Sequence, residues 1–313
     1  GGEVIEILEQ TKALCGRGGK RLRAGLVVAG QKAFERSRPA RWETALRCGV
    51  AVELLQSYFL IHDDWMDQDE VRRGGPAVHT ALRRSFRSPH RGAAAAILAG
   101  DYLVGLATRE LARAAQRHPK LAGLLDVFAE MQLAAVIGQQ LDVIGQTRDA
   151  ERIYELKTAS YTVTGPLQLG ALLAGASRSS LNQLAAFSKP LGVAFQLRDD
   201  LIGAFGTTKE TGKPRGGDIV QGKWTFVVQH GLQRGSTGQR RAINAAFGKQ
   251  RVAKAKLEGA LTALADSGAR EACQKRIDHL RRQSLRNLDE IRLTARGRAL
   301  LTGAVSALSD RRS

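Results

Sequence analysis

The sequence predicts an all-α protein, on three observations. Ala, Leu and Arg, all good helix formers, dominate the 313 residues, whereas aromatics make up only 5%. Long segments carry apolar residues at helical spacing, and none shows the alternation of a half-buried strand. Gly and Pro punctuate these segments, but no long linker or repeat of fixed period divides them. A single all-helical domain over 1–313 is therefore expected, and a hydrophobic content of 43% suffices for a substantial core.

Taken in order, Val4 to Leu14 reads as a short amphipathic helix that stops at Gly16. Gly18-Gly19-Lys20-Arg21-Leu22-Arg23 then opens a helix to Phe34, and Pro39 ends that stretch. A long helix from about Arg41 runs to Met66, its apolar run Val50–Ile61 leading into Asp63-Asp64-Trp65-Met66-Asp67. Arg72-Arg73-Gly74-Gly75-Pro76 forms a turn. Arg91 to Ala115 and Leu121 to Ile144 are helical, with Pro119 between them. Glu151 to Thr164 follows, and Gly165-Pro166 is expected to interrupt it before Leu167–Gly175 and Leu181–Phe205. Gly206 to Lys223 is the longest irregular stretch, and its glycines and lysines suit a mobile lid. Trp224 to Leu232 resumes a helix, and 252–309 is basic and helix-rich.

A formal charge of +18 is compatible with nucleic acid, an acidic membrane surface or polyanionic small molecules. The basic residues are scattered, with no run of five and no zinc-finger or aromatic–basic repeat, so nucleic-acid binding is not expected. Three dispersed cysteines, Cys15, Cys48 and Cys273, argue against a disulfide framework and for a reducing compartment. No uninterrupted apolar run reaches the roughly 18 residues of a membrane span, so no transmembrane segment is expected. Beginning Gly1-Gly2 without Met, the sequence reads as a trimmed piece, and no signal peptide is recognisable; a cytoplasmic location is expected.

The chemistry lies in where the charges cluster. On a helix Asp63, Asp64 and Asp67 share one face, and like charges at that spacing destabilise it by about 0.2–0.5 kcal/mol per pair unless neutralised. Oxygen-only ligands suit Mg²⁺ or Mn²⁺. A second acidic pair, Asp199-Asp200, stands near the end of another predicted helix. Lys20 and Arg23, at i and i+3 behind two glycines, make an anion site with a helix N-terminus. Arg72 and Arg73 beside the first acids, and Lys157 and the loop lysines around the second, add phosphate-binding groups. Carboxylates repel diphosphate, and a metal ion between them resolves the conflict.

In these residues the chain resembles the trans (E) isoprenyl diphosphate synthases. Asp63-Asp64-Trp65-Met66-Asp67 matches the family's first aspartate-rich motif. Gly18–Arg23, Arg72–Pro76, Gly138-Gln139-Gln140-Leu141-Asp142, Lys157-Thr158, Phe195–Asp200 and Thr211-Gly212-Lys213 match its other blocks, in order, from about Gly18 to Thr225. The resemblance implies an isoprenoid-synthase helical bundle around a deep central cavity, usually homodimeric. It implies three Mg²⁺ ions, with Mn²⁺ as an alternative, bridging the acids and an allylic diphosphate. By position, Asp63, Asp67 and Asp199 would be the metal ligands, supported by Asp64 and Asp200. Lys20, Arg23, Arg73 and Gln56 would hold isopentenyl diphosphate. Arg72, Lys157, Gln196, Lys213 and Lys223 would hold the allylic diphosphate, with Thr158 beside it. Two positions depart from the pattern: Gly203 stands where many members carry a third acid, and Gln56 where many carry His.

Tyr58 and Phe59 lie five and four residues before Asp63, about 6–8 Å along a helix axis. Large rings there would floor the cavity early, which suits a farnesyl (C15) product ahead of geranylgeranyl (C20). The rival readings are a class I terpene cyclase and a non-catalytic regulatory subunit. Cyclases lack the Gly-Gly-Lys-x-x-Arg site, and regulatory subunits usually lose acids that here remain.

Overall fold

The computed structural model describes residues 1–35, 42–206, 215–249 and 251–310. The chain divides into two compact units, Gly1–Ala129 with Pro166–Ala176, and Glu130–Gly165 with Ser177–Ser313.

The first unit holds helices α1 (Gly2–Gly16), α2 (Leu22–Phe34), α3 (Trp42–Met66), α4 (Val78–Ser85) and α5 (Pro89–Ala114). Between α3 and α4 a two-residue antiparallel ribbon pairs β1 (Val71–Arg72) with β2 (Gly75–Pro76). Arg73 and Gly74 at its tip both have positive φ, 51° and 71°, the signature of a type I′ turn whose twist matches paired strands. The core gathers Leu14, Ile61, Val78, Leu82, Ala96 and Leu103, and α3 packs most extensively on α5. The strongly amphipathic α4 was not anticipated from the sequence; its apolar residues are few, and it is buried along Val78, Thr80, Ala81 and Leu82.

The second unit is organised around α9 (Arg178–Phe205), which packs on the Ala269–Asp289 helix. Leu197, Leu201, Ile219, Val227, Leu261, Cys273, Ile277 and Leu280 belong to one core. Pro190 lies inside α9, where its ring removes a backbone donor. The carbonyl four residues earlier, Ala186, accepts instead from the Asn287 side chain at 2.7 Å. Helix α7 (Ala150–Tyr154) runs directly into a π-helical stretch, Glu155–Thr164, and that into α8 (Gly165–Leu173). Gly165-Pro166 therefore does not interrupt the helix, contrary to expectation. It marks the change from wide to ordinary winding, and Pro166 takes one backbone donor out of the continuous ladder there.

Two helices, α3 and α6 (Leu121–Ile144), are long and apolar enough to cross a membrane by length and composition. Both reach that hydropathy while carrying a few polar residues, so no uninterrupted apolar run marks them in the sequence. Much of α3 is packed into the core, whereas α6 turns an apolar stripe outward: Leu133 is 58% exposed and Ile137 53%, with Val136, Val143 and Ile144 alike. The lid expected over 206–222 falls largely on 207–214, outside the described residues, as do Thr211, Gly212, Lys213 and Pro39. Of the remainder, Gly217–Gln221 forms a short helix.

Candidate active site

In the first unit, the acids stand where α3 ends. Asp69 N–H bonds the Asp64 carbonyl at 2.8 Å and Gln68 N–H the Trp65 carbonyl at 3.3 Å, with Gln68 left-handed at φ 58°. This is a Schellman ending, and it makes Asp67 the C-cap. Asp63, Asp64 and Asp67 thus add negative charge to the negative end of a helix dipole, an arrangement that favours a cation. Asp64 is 1% exposed. Arg72 from β1 closes over it, Nε donating to Asp64 Oδ1 at 2.6 Å and Nη2 contacting the same oxygen, with Asp69 at 3.3 Å and Asp63 at 3.7 Å. Burial pushes the Asp64 carboxyl up to about 6, against the pull of Arg72. Asp63 and Asp67 are only half-buried, so of the three acids Asp64 is the one committed to the protein interior.

The ribbon also carries Arg73, whose guanidinium lies over Gly19, 3.5 Å from where a Cβ would stand. Its Nη1 is buried with no hydrogen-bond partner. Burial and the neighbouring Arg21 and Arg23 lower its affinity for a proton. Gly18, Gly19 and Arg21 have φ of 44°, 105° and 48°, and α2 begins at Leu22. Lys20 therefore precedes the helix, and the shared helical face expected of Lys20 and Arg23 does not form. What forms instead is a loop that brings Arg21, Arg23 and Arg73 together at the start of α2. Glu53 tempers it, receiving Arg21 and the Ala24 N–H, each at 3.4 Å. Gln56 is half-buried one turn further along α3. Arg17, unremarked in the sequence, braces the ribbon by donating to the Pro76 carbonyl at 2.6 Å.

Upstream on α3, Tyr58 stacks edge-on against His62, ring centroids 4.7 Å apart, and sits 5.0 Å from Phe59. A side chain at Gly100 of α5 would collide with His62 and crowd Tyr58 at 3.3 Å. Tyr58 thus packs into the α3–α5 interface, whereas Phe59 repeats at the four-residue spacing of Asp63 and Asp67.

In the second unit, the π-helical stretch carries Lys157 and Thr158 between α6 and α9. Gly138 and Gly192 permit this, because a Cβ at either would overlap Lys157 or Ala159. Lys157 donates to Asp142 of α6 at 2.6 Å. Thr158 donates to Gln196 Oε1 at 2.9 Å, and Gln196 Nε2 donates to Asp200 Oδ1 at 3.1 Å. Asp200 is 3% exposed while Asp199 is half-buried. Burial and Asp218 raise the Asp200 carboxyl well above the usual range. Asp218 was missed in the sequence because the irregular Gly-rich stretch gave it no pattern. Its Oδ2 lies 3.3 Å from where a Gly203 Cβ would stand, occupying space that a longer side chain at 203 would take. Lys223 is half-buried, its N–H held by the Asp218 carbonyl at 2.9 Å.

The donor chemistry fits Mg²⁺: carboxylate oxygens only, at a helix C-terminus. No cluster of three acidic, His or Cys ligands stands ready among the described residues. That is how Mg²⁺ is usually met, by one or two carboxylates completed by water and substrate phosphates.

Comparison with known proteins places these features in a family. Residues 5–264 match the polyprenyl synthetase family model. The chain is 32% identical over 235 residues to a geranylgeranyl diphosphate synthase of Methanosarcina mazei, covering 74% of this chain and 68% of that one. It is 34% identical over 229 residues to a (2E,6E)-farnesyl diphosphate synthase of Mycobacterium tuberculosis, covering 71% and 59%. The crystal structure of a Corynebacterium glutamicum geranylgeranyl pyrophosphate synthase, complexed with isoprenyl diphosphate and magnesium, superposes with a TM-score of 0.93 at 32% identity, covering 99% of this chain and 91% of that one. With a match over most of its length and the all-α isoprenoid-synthase fold, the chain belongs to the polyprenyl synthetase family of prenyl diphosphate synthases.

Proposed function

We propose that this chain condenses isopentenyl diphosphate head-to-tail with an allylic diphosphate to give a short trans product, farnesyl ahead of geranylgeranyl diphosphate. The observation that carries the reading is the second anion site. Arg21, Arg23 and Arg73 crowd together beside Glu53, and Arg73 keeps a buried Nη1 without a hydrogen-bond partner. Such a cluster is stabilised by a polyanion, and a reaction on one diphosphate alone, as in a cyclase, does not require it. In this reading Lys20, Arg23 and Arg73 hold isopentenyl diphosphate, with Gln56 nearby. Asp63, Asp67 and Asp199 hold Mg²⁺, and Asp218 adds the acid that Gly203 does not supply. Lys157 and Lys223, with Lys213 outside the described residues, neutralise the allylic diphosphate.

Bound Mg²⁺ would stabilise the negative charge that grows on the departing diphosphate. The protein's share is to present cations fixed in place by Asp142, Asp218 and the ribbon, so that little reorganises as charge develops. The allylic C–O bond breaks, the double bond of isopentenyl diphosphate attacks the cation, and a proton passes to the departing diphosphate to leave the new trans double bond. Arg72 and Asp64, paired with each other, act in this scheme mainly by holding the ribbon against α3. Both units are taken as parts of one catalytic domain. The outward stripe of α6 supports a homodimer, since apolar residues at 133, 136/137 and 143/144 follow helical spacing and are each more than half exposed.

The test is incubation with Mg²⁺, isopentenyl diphosphate and each of dimethylallyl, geranyl and farnesyl diphosphate, reading product length by mass. Elongation stopping at C15 is expected. Absence of elongation from every primer would sink the reading, and a cyclised hydrocarbon from geranyl or farnesyl diphosphate alone would favour the cyclase.

A further inference from the structure

Tyr154 ends α7, three residues before Lys157, and no motif includes it. Its side chain is 6% exposed. Its hydroxyl receives the Phe226 backbone N–H at 2.7 Å and contacts Asp200 Oδ2. A phenol has one hydrogen to give. With Phe226 donating into the oxygen, that hydrogen goes to Asp200. The other Asp200 oxygen is taken by Gln196, and Gln196 in turn by Thr158. The direction of every bond follows: Thr158 to Gln196 to Asp200 from one side, and Phe226 N–H to Tyr154 to Asp200 from the other.

Asp200 is thereby held inward by two donors, with both oxygens occupied, while its neighbour Asp199 remains half-buried. The same chain ties together three elements. The π-helical stretch carries Lys157, α9 carries Asp199, and the segment leading into the Phe226–Arg234 helix carries Lys223. Tyr154 is the member that reaches this last segment, through the first N–H of its helix.

We propose that Tyr154 is a positioning residue of this enzyme: its hydroxyl keeps Asp200 turned into the protein and registers the Lys223 segment against α9, so that Asp199 and Lys223 are preset for a magnesium–diphosphate. The inference rests on the functional reading above for the roles of Asp199 and Lys223. Removing the hydroxyl leaves one Asp200 oxygen and the Phe226 N–H without their partner, and partly satisfied buried networks relax by rearranging. Lys20, Arg23 and Arg73 belong to the first unit, so isopentenyl diphosphate affinity is expected to stay unchanged.

The experiment compares Tyr154→Phe with the parent chain and with Val193→Ala, a control that removes core volume from α9, the helix that carries Asp200. Calorimetric titration of inorganic pyrophosphate in the presence of Mg²⁺ reads the site without turnover. Tyr154→Phe is expected to weaken this binding about tenfold, raise the allylic KM and the Mg²⁺ concentration for half-maximal rate, and leave the KM for isopentenyl diphosphate alone. Amide exchange over 223–228 is expected to accelerate in the same variant. Val193→Ala is expected to lower Tm without moving the binding. Pyrophosphate binding by Tyr154→Phe within twofold of the parent, or an equal loss in Val193→Ala, overturns the proposal. A parent chain that binds magnesium–pyrophosphate yet elongates no primer would overturn the functional reading instead, and Tyr154 would still be judged by the binding arm.

Discussion

Asp63 and Asp67 are poor residues for stability. Each places a charge at the negative end of α3, where the dipole alone costs about 0.3–1 kcal/mol. They stay half-buried beside a buried Asp64 whose Oδ1 is taken by Arg72, which makes them the better ligand candidates. Asp63→Ala or Asp67→Ala is expected to lower turnover about 10²–10⁴-fold, several kcal/mol of transition-state stabilisation. Tm should be level or slightly raised; near-normal turnover contradicts the assignment. The two rings upstream separate in the same way. Tyr58 is held by His62 and α5, and Phe59 keeps the spacing of the acids. The double replacement by Ala should lengthen the product, with Phe59→Ala accounting for most of the change; product mass checks both. The cysteines give a further test, because burial pushes the Cys48 thiol up to about 12 and Cys273 higher still. A thiol reagent should modify one cysteine, Cys15, in the native protein and all three after denaturation.

At the scale of elements, the site depends on close approach more than on hydrogen bonds. The π-helical stretch is wider than an α-helix, yet it fits between α6 and α9 because Gly138 and Gly192 lack side chains. Wide turns of this kind recur at functional sites, where they re-aim a side chain; here the stretch presents Lys157 to Asp142 and Thr158 to Gln196. Gly138→Ala should therefore cost about 1–3 kcal/mol through overpacking. Because the Lys157 backbone must move, the allylic KM should rise with the fall in Tm. A Tm loss with unchanged kinetics would place Lys157 outside the site. The ribbon of the first unit shows the opposite economy: a type I′ turn, one brace from Arg17 and one lock from Arg72 to Asp64 hold two arginines on six residues.

For the whole molecule, the apolar stripe on α6 is where the proposed homodimer would meet. Leu133→Glu with Ile137→Glu should turn a dimer into a monomer in light scattering, without loss of helicity by circular dichroism. A wild-type chain that is monomeric at micromolar concentration contradicts the homodimer.

Much of this protein was legible in its sequence, because helical periodicity and charge spacing are local properties. The all-α class, the end of α2, the limits of α6, the two acidic clusters and the basic blocks all follow from residues a few positions apart. Tertiary structure decided what spacing cannot reach. Asp64 and Asp200 look like the equals of Asp63 and Asp199, yet they alone of the four are buried, with Arg72 donating to one and Tyr154 to the other. Asp218 gained meaning by lying against Gly203, fifteen residues earlier, and Lys20 lost its helical face because α2 starts at Leu22. Local pattern determines which groups a helix offers; packing between helices determines which of them are drawn into the interior.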